Sequence, residues 1–234
     1  MSELKDLFKE INIELDGDKE VKFQRYYELL IEWNSKFNLT AITDYDEVMI
    51  KHFLDSLSII KAVDIKTCSN LIDVGTGAGF PGIPIAIVFP DIKITLLDSL
   101  NKRVSFLNEV IDELGLVNVK AFHGRAEDYG RGEFREKYDI CVSRAVANLS
   151  TLTELCLPFV KMGGFFAAYK SEKVREEVES ADKAIDLLGG KISEVVNFVL
   201  PSTDFDRSIV IINKIKETSM KYPRKAGTPS KQPL

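Results

Sequence analysis

The stretch IDVGTGAGFPG, residues 72–82, limits the possible folds of this chain more than any other feature. It places four glycines within eight positions, directly after an apolar run. Glycines permit the tight turn from a β-strand into a helix, and they let backbone N–H groups approach a ligand closely. The sequence therefore predicts a ligand-binding loop at the carboxyl end of a strand in an α/β fold.

The glycines of this loop can be read in two registers. Counted from Gly77, they satisfy G-x-G-x-x-G, the fingerprint of dinucleotide-binding domains. Counted from Gly75, they read GTGAG with Asp73 two residues earlier, a form associated with S-adenosyl-L-methionine. An acid here suits a ligand with a cationic tail and would repel a pyrophosphate. We favour S-adenosyl-L-methionine, and a nicotinamide-dependent oxidoreductase is the alternative.

Short apolar runs alternate with helical segments from residue 70 onward. This pattern is typical of parallel βαβ units with helices on both faces of one sheet, and the last two runs predict an antiparallel hairpin at its edge. The fold class is therefore α/β, a Rossmann-like class I methyltransferase with a seven-stranded, mostly parallel sheet. The predicted strands are NLIDVG, IKITLLD, VKAFHG, YDICVSR, FFAAYK, VVNFVL and SIVIINKI. Helices should begin near Pro81, Leu100, Leu149 and Lys173, and elements should stop at Gly115 and at Gly163-Gly164.

The spacing of apolar residues over the first 62 positions predicts helices. Leu4, Leu7, Phe8 and Ile11 have helical spacing, and the pattern resumes between Phe23 and Phe37. A third helix should follow a cap at Thr43. We expect a helical cap over 1–62, a methyltransferase core over 63–215 and a basic tail over 216–234.

Composition excludes several classes of protein. At 234 residues, 45% of them hydrophobic, the chain can bury a full core. It has no apolar run long enough to span a bilayer, so we expect a cytoplasmic protein without a membrane partner. We also expect a monomer. Its three cysteines form no C-x-x-C pair, which argues against a zinc or other metal site and favours buried thiols.

The charge is unevenly distributed. Residues 214–234 hold six lysines or arginines against one glutamate, a net charge of +5 in a chain whose total is −5. A basic arm can bind polyanions locally whatever the total charge. A solubilising terminus is the alternative interpretation.

Polar residues follow the predicted strands, at the sheet edge where such folds bind ligands. Asp98 ends the second strand, at the distance from the glycines expected of an acid that accepts the hydroxyls of a ribose. GRAEDYG follows the third strand and can line an adenine pocket. SRAVANLS follows the fourth and contains neither Asn-Pro-Pro-aromatic nor Pro-Cys. The chain thus lacks these signatures of amine and pyrimidine-C5 methylation, whereas guanine N7, which loses no proton, needs no general base.

Seven motifs occur together in this chain: NLTAI, HFLDSL, DVGTGAGFPGIP, LLDSLNKRVSFL, RAED, SRAVA and YPRKAGTPSKQPL. Together they resemble the bacterial small-subunit ribosomal RNA guanine-N7 methyltransferases, the glucose-inhibited division protein B family. The resemblance extends from about residue 24 to the C-terminus. It implies transfer of a methyl group from S-adenosyl-L-methionine to N7 of a guanine, in a loop of 16S ribosomal RNA near the decoding region.

The resemblance also implies site residues. Arg144 is the candidate at the junction of base and cofactor, with a structural ion pair as the alternative. RNA contacts are expected from Lys221, Arg224 and Lys225, with Tyr222 available for stacking, and more weakly from Asn38 and His52. A non-catalytic RNA-binding module and a small-molecule methyltransferase are the remaining alternatives. The expected cofactor contacts are Asp73, Gly75, Gly77, Phe80, Asp98, Ser99, Leu100, Ala126, Glu127 and Arg144.

Overall fold

The structure, a computed structural model, describes residues 2–144, 147–171 and 174–234. Two residues of the SRAVA motif, Ala145 and Val146, and the predicted helix start at Lys173 lie outside the described residues. All three cysteines are free thiols; Cys141 and Cys156 are buried as predicted, but Cys68 is only half-buried because it lies in the loop before the first strand.

One sheet of seven strands organises the molecule, in the order β3-β2-β1-β4-β5-β7-β6. The first five strands run parallel to one another, and β7 pairs antiparallel with both β5 and β6. The predicted seven-stranded sheet and its edge hairpin are confirmed. The strands are β1 Asn70–Val74, β2 Lys93–Asp98, β3 Val119–His123, β4 Tyr138–Ser143, β5 Val160–Lys170, β6 Gly190–Val199 and β7 Asp206–Lys214.

Helices cover both faces of the sheet, as its near-continuous apolar strands require. Helices α2 and α4 to α6 pack on one side, whereas α8 and α9 pack together on the other. The helices are α1 Ser2–Lys9, α2 Gly17–Asn34, α3 Tyr45–Val48, α4 Asp55–Leu57, α5 Gly82–Val88, α6 Asn101–Glu113, α7 Ala126–Tyr129, α8 Leu149–Cys156, α9 Val174–Leu187 and α10 Thr228–Lys231. A π-helix, Met49–Leu54, joins α3 to α4, and short 3-10 turns lie at Ser58–Lys61, Ile65–Thr67 and Leu157–Phe159.

The N-terminal helices share one hydrophobic core with the sheet. Tyr26 of α2 stacks on Phe53, and Phe53 in turn contacts Phe80 beside the glycine loop. The third helix is capped by Asp44 and not by the predicted Thr43, because the Asp44 carboxylate accepts the backbone N–H of Glu47 at 3.0 Å. Phe37 lies beyond the end of α2.

The prediction that Gly163-Gly164 ends an element is wrong, since both glycines lie inside β5. The pairing of β5 with β4 shifts register between Tyr138 and Ile140, and Gly163 has a φ of +81°. A Cβ on Gly164 would lie 2.5 Å from the carbonyl oxygen of Asp139. The glycine pair therefore serves a bulge with a close backbone approach, a role that can be confused with a stop signal in a sequence.

Residues 216–234, here called the C-terminal segment, fold against the core. Arg135 donates to the carbonyls of Thr218 and Tyr222, and Arg131 Nε donates to the carbonyl of Pro223 at 2.6 Å. None of the helices in the described ranges combines the length and apolar character that a bilayer crossing requires.

Candidate functional site

The glycine loop joins β1 to α5 at the carboxyl edge of the sheet. Gly75, Gly77 and Gly79 have φ values of +71°, +63° and +96°, which side-chain-bearing residues rarely adopt. A Cβ on Gly75 or Gly77 would meet nothing within 4 Å, whereas one on Gly79 would lie 2.6 Å from Ile83. The first two glycines therefore face open space where a ligand can approach, and Gly79 is required by packing.

Asp73 lies fully buried beneath this loop. Its Oδ2 accepts hydrogen bonds from Thr76 Oγ1 at 2.7 Å and from the backbone N–H of Gly82 at 2.8 Å. Its Oδ1 is also buried and finds no hydrogen-bond partner within the described part of the chain. Burial raises the pKa of Asp73 to about 7. An unpartnered buried carboxylate oxygen fits a ligand with a cationic group.

Asp98, at the end of β2, connects three of the predicted cofactor residues. Its Oδ2 accepts the backbone N–H of Gly77, and its Oδ1 that of Leu100, both at 2.9 Å. Arg103 Nη1 lies 3.4 Å from Oδ2. The carboxylate is thereby held in place, and its remaining lone pairs are the acceptors that ribose hydroxyls require.

A cavity of about 180 Å³, here called the loop cavity, joins the ends of β1, β2 and β3. Gly75, Ser99, Ala126 and Glu127 line it, so the structure brings together four of the residues predicted to bind the cofactor. The C-terminal segment also lines it, and the backbone N–H of Gly227 donates to Glu127 Oε1 at 2.8 Å. Sequence reasoning missed that the C-terminal segment lines this cavity, because nothing local to residues 227–230 indicates a partner 100 positions earlier.

Arg144, which follows β4, faces the N-terminal helices. Its Nη1 lies 2.8 Å from Asp55 Oδ2, and its guanidinium carbon lies 5.1 Å from the ring centroid of Phe80. Asp55 Oδ1 receives a second arginine, Arg207, whose Nε is 2.9 Å away. Sequence reasoning missed Arg207. The only signal for Arg207 was its place at the start of β7. Because β7 is antiparallel to β5, it begins beside the carboxyl end of β5.

His52 belongs to the π-helix and contacts the same group of side chains. Its ring stacks on Phe80 at 4.6 Å, and its Nε2 lies 2.8 Å from Thr40 Oγ1. Burial, together with the charge of Arg144, lowers the pKa of His52 to about 4. The imidazole is therefore neutral at physiological pH and can contact an uncharged ring.

A second cavity of about 530 Å³, here called the polar cavity, opens beside Arg144. Asp55, Asn148, Lys170 and Arg207 are among its lining residues. Ala147 lines both cavities, while Ser143 borders the loop cavity and Arg144 the polar one. The two cavities therefore share a lining residue, Ala147, a few positions after the end of β4.

The residues predicted to contact RNA lie in different surroundings. Asn38 is exposed on the loop after α2, and Lys221 and Lys225 are exposed on the C-terminal segment. Arg224, in contrast, forms an ion pair with the fully buried carboxylate of Glu154, with Nη2 2.6 Å from Oε2 and Nε 2.9 Å from Oε1. Arg224 therefore anchors the C-terminal segment, and its expected phosphate contact stays a prediction.

Comparison with known sequences identifies close relatives. A family model described as GidB, rRNA small subunit methyltransferase G, matches residues 19–210. The Ribosomal RNA small subunit methyltransferase G of Lachnoclostridium phytofermentans is 57% identical over 227 residues, which cover 97% of this chain and 94% of the relative. The protein of the same name from Staphylococcus epidermidis is 51% identical over 231 residues, covering 99% of this chain and 97% of its own.

Solved structures share the fold at much lower identity. A putative transferase from Pyrococcus horikoshii is 15% identical with a TM-score of 0.56, and the match covers 70% of this chain and 64% of that one. A SAM dependent methyltransferase from Aquifex aeolicus is 18% identical with a TM-score of 0.52, covering 72% and 93%. The architecture is thus that of class I methyltransferases.

Proposed function

This chain belongs to the rRNA small subunit methyltransferase G family, and we propose that it methylates N7 of a guanine in a loop of 16S ribosomal RNA near the decoding region. Membership makes it an S-adenosyl-L-methionine-dependent enzyme. The dinucleotide reading of the glycine loop is thereby set aside. We propose further that it acts as a monomer and in the cytoplasm, where ribosomal RNA is available.

The observation that carries the proposal is that two cavities lie on either side of Ala147, which follows β4 and lines both of them. Methyl transfer needs the donor and the acceptor side by side, because alignment alone supplies much of the rate. Four of the residues predicted to bind the donor line the loop cavity, and the polar cavity beside Arg144 is open for the acceptor.

The donor side fits the cofactor. S-adenosyl-L-methionine supplies an electrophilic methyl group on its sulfonium. Gly75 and Gly77 leave room for close approach, Asp98 presents acceptors for ribose hydroxyls, and Asp73 Oδ1 offers a buried acceptor to a cationic tail. Each of these groups is held in place by hydrogen bonds of the chain itself.

The acceptor side suits a base that loses no proton. Guanine N7 carries an in-plane lone pair, so the reaction needs alignment and not a general base. The low pKa of His52, about 4, makes it a weak base. In our proposal Arg144, Arg207 and Lys170 donate to oxygen atoms of the nucleotide, and Asp55 keeps the two arginines apart and oriented.

RNA presents N7 only when the base is accessible. The deep, narrow major groove of A-form helices hides this atom, so the guanine must come from a loop or be turned out of its stack. The polar cavity, at about 530 Å³, has the size of a small-molecule site. His52 contacts Arg144, with its Nδ1 3.5 Å from Nη2, and it remains a proposed RNA contact. Asn38, Lys221 and Lys225 also remain proposed RNA contacts.

The test is transfer of labelled methyl from S-adenosyl-L-methionine to small ribosomal subunits from cells that lack this protein. We expect the label in 7-methylguanosine after digestion of the RNA. Arg144→Ala should abolish labelling, whereas Arg175→Ala, which changes an exposed arginine on α9, should leave it intact. Label in another nucleoside, or in no RNA although the cofactor binds, contradicts the proposal.

A further inference from the structure

The C-terminal segment reaches the loop cavity that the proposed function assigns to the cofactor. Gly227 and Ser230 line this cavity beside Ala126 and Glu127. Gly227 adopts a left-handed conformation, with φ +81° and ψ −13°, and directs its N–H to Glu127 Oε1 at 2.8 Å. The segment therefore contacts a predicted cofactor residue directly.

Several anchors hold the segment in this position. The bidentate ion pair between Arg224 and Glu154 fixes it to α8, and Arg224 Nη2 also donates to the carbonyl of Gln232 at 2.7 Å. Thr151 Oγ1, also on α8, donates to the carbonyl of Pro229 at 3.1 Å. Because Leu152 and Leu155 of the same helix line the loop cavity, these anchors tie the segment to the wall of the cavity itself.

The charge of Arg224 also contributes to the anchor. The fully buried carboxylate of Glu154 pairs with this guanidinium through Nε and Nη2. A charge pair held at 2.6 Å, with one partner fully buried, breaks only at a substantial cost, since the remaining charge would be left without compensation. The segment consequently stays on α8.

We propose that the C-terminal segment forms the outer wall of the cofactor site, and that the Gly227 N–H positions the carboxylate of Glu127 for the amino edge of the cofactor's purine. Held through Oε1, Glu127 presents Oε2 to a hydrogen-bond donor of the ligand. Gly227 is a positioning residue in this arrangement, and Ser230 closes the cavity from outside. This inference rests on the proposed function, because it takes the ligand of the loop cavity to be S-adenosyl-L-methionine.

Calorimetric titration of the full chain with S-adenosylhomocysteine, without RNA, tests the proposal. Ser230→Trp places a large ring at the cavity wall and leaves the anchors intact. The Kd of this variant for S-adenosylhomocysteine should therefore rise by about tenfold or more, as expected when a ligand loses packing and a hydrogen bond. The matched control is Lys231→Trp, the same change at an exposed neighbour that does not line the cavity. The control should bind like the original chain.

A second variant tests the anchor. Arg224→Ala should raise the KM for S-adenosyl-L-methionine by about tenfold while kcat at saturating cofactor is retained, because the wall acts in binding and not in the methyl transfer. Reduced subunit binding with an unchanged Kd for S-adenosylhomocysteine would show that the segment is an RNA arm, and would overturn the proposal.

Different results would contradict the wall assignment and the assignment of the loop cavity to the cofactor. If the original chain and Ser230→Trp bind S-adenosylhomocysteine equally well, the wall assignment is wrong and the methyltransferase function is untouched. If the original chain does not bind S-adenosylhomocysteine at all, the assignment of the loop cavity to the cofactor falls, and the wall falls with it.

Discussion

At the scale of single residues, Asp73 combines full burial with one oxygen that has no partner in the described chain. Its folded-state pKa, about 7, lies above the value of 3.8 for an exposed aspartate. The folded protein without ligand therefore binds this proton more tightly than the unfolded chain does. Asp73 consequently lowers stability as the pH rises from about 4 to about 7.

The affinity for the cofactor should rise with pH because of Asp73, whereas the stability of the unliganded protein falls. A cationic tail favours the ionised carboxylate, so affinity for S-adenosylhomocysteine should rise by about tenfold between about pH 6 and about pH 8. Asp73→Asn should bind S-adenosylhomocysteine more weakly, and its affinity should not rise with pH. Loss of the rise in this variant shows that the titrating group is Asp73 and not a group of the ligand. Calorimetry across this range measures both; an equal pH dependence in the two proteins would rule out Asp73 as the titrating group.

Asp98 holds the glycine loop and the start of α6 through two backbone N–H groups. Asp98→Ala should raise the Kd for S-adenosylhomocysteine by about 10- to 100-fold, since a hydrogen bond to a charged group contributes about 1.5–3 kcal/mol. The control is Asp91→Ala, at an exposed turn, which should bind normally. Similar Kd values for the two variants would contradict the ribose role.

At the scale of elements, the bulge between β4 and β5 depends on Gly164. Gly164→Ala would bring a Cβ to 2.5 Å from the Asp139 carbonyl, so the backbone must shift. We expect a loss of about 1–3 kcal/mol in the free energy of unfolding, measured by urea denaturation. Gly17→Ala, where a Cβ meets nothing within 4 Å, is the control and should change stability little. Equal stability of the two variants would show that β5 relaxes freely at the bulge.

At the scale of the whole molecule, an acidic chain must bind a polyanion. The exposed Lys221 and Lys225 are proposed to contribute locally to that binding. Replacing both by alanine should weaken binding to small subunits and reduce the slope of log affinity against log salt by about one to two units. Filter binding over a salt series measures the slope. An unchanged slope would mean that the phosphate contacts lie elsewhere.

The sheet could be predicted from the sequence because the signals for its strands and helices are local. Apolar runs such as KITLLD predict strands, and Pro81 and Leu100 correctly indicate where α5 and α6 begin. Asp98 and Gly77 were also placed together correctly, because parallel strands bring their carboxyl ends to one edge.

The rest of the site depends on contacts between distant residues. Arg224 and Glu154 are 70 positions apart, and neither has a local feature that indicates the other. A basic tail and a folded wall have the same composition, so charge counting favoured an RNA role for Arg224. The anchoring contact of Arg224 forms because α8 packs against the C-terminal segment, and no pattern in the sequence indicates that packing.

The carboxylate of Asp55 also has a consequence for folding. It joins two arginines that lie 89 and 152 positions further along the chain. Closing loops of this length costs entropy that only the assembled sheet can offset, and such long-range contacts form slowly. The polar cavity should therefore be completed late in folding, and a partly folded molecule, even one with its glycine loop formed, would have no place for the acceptor base.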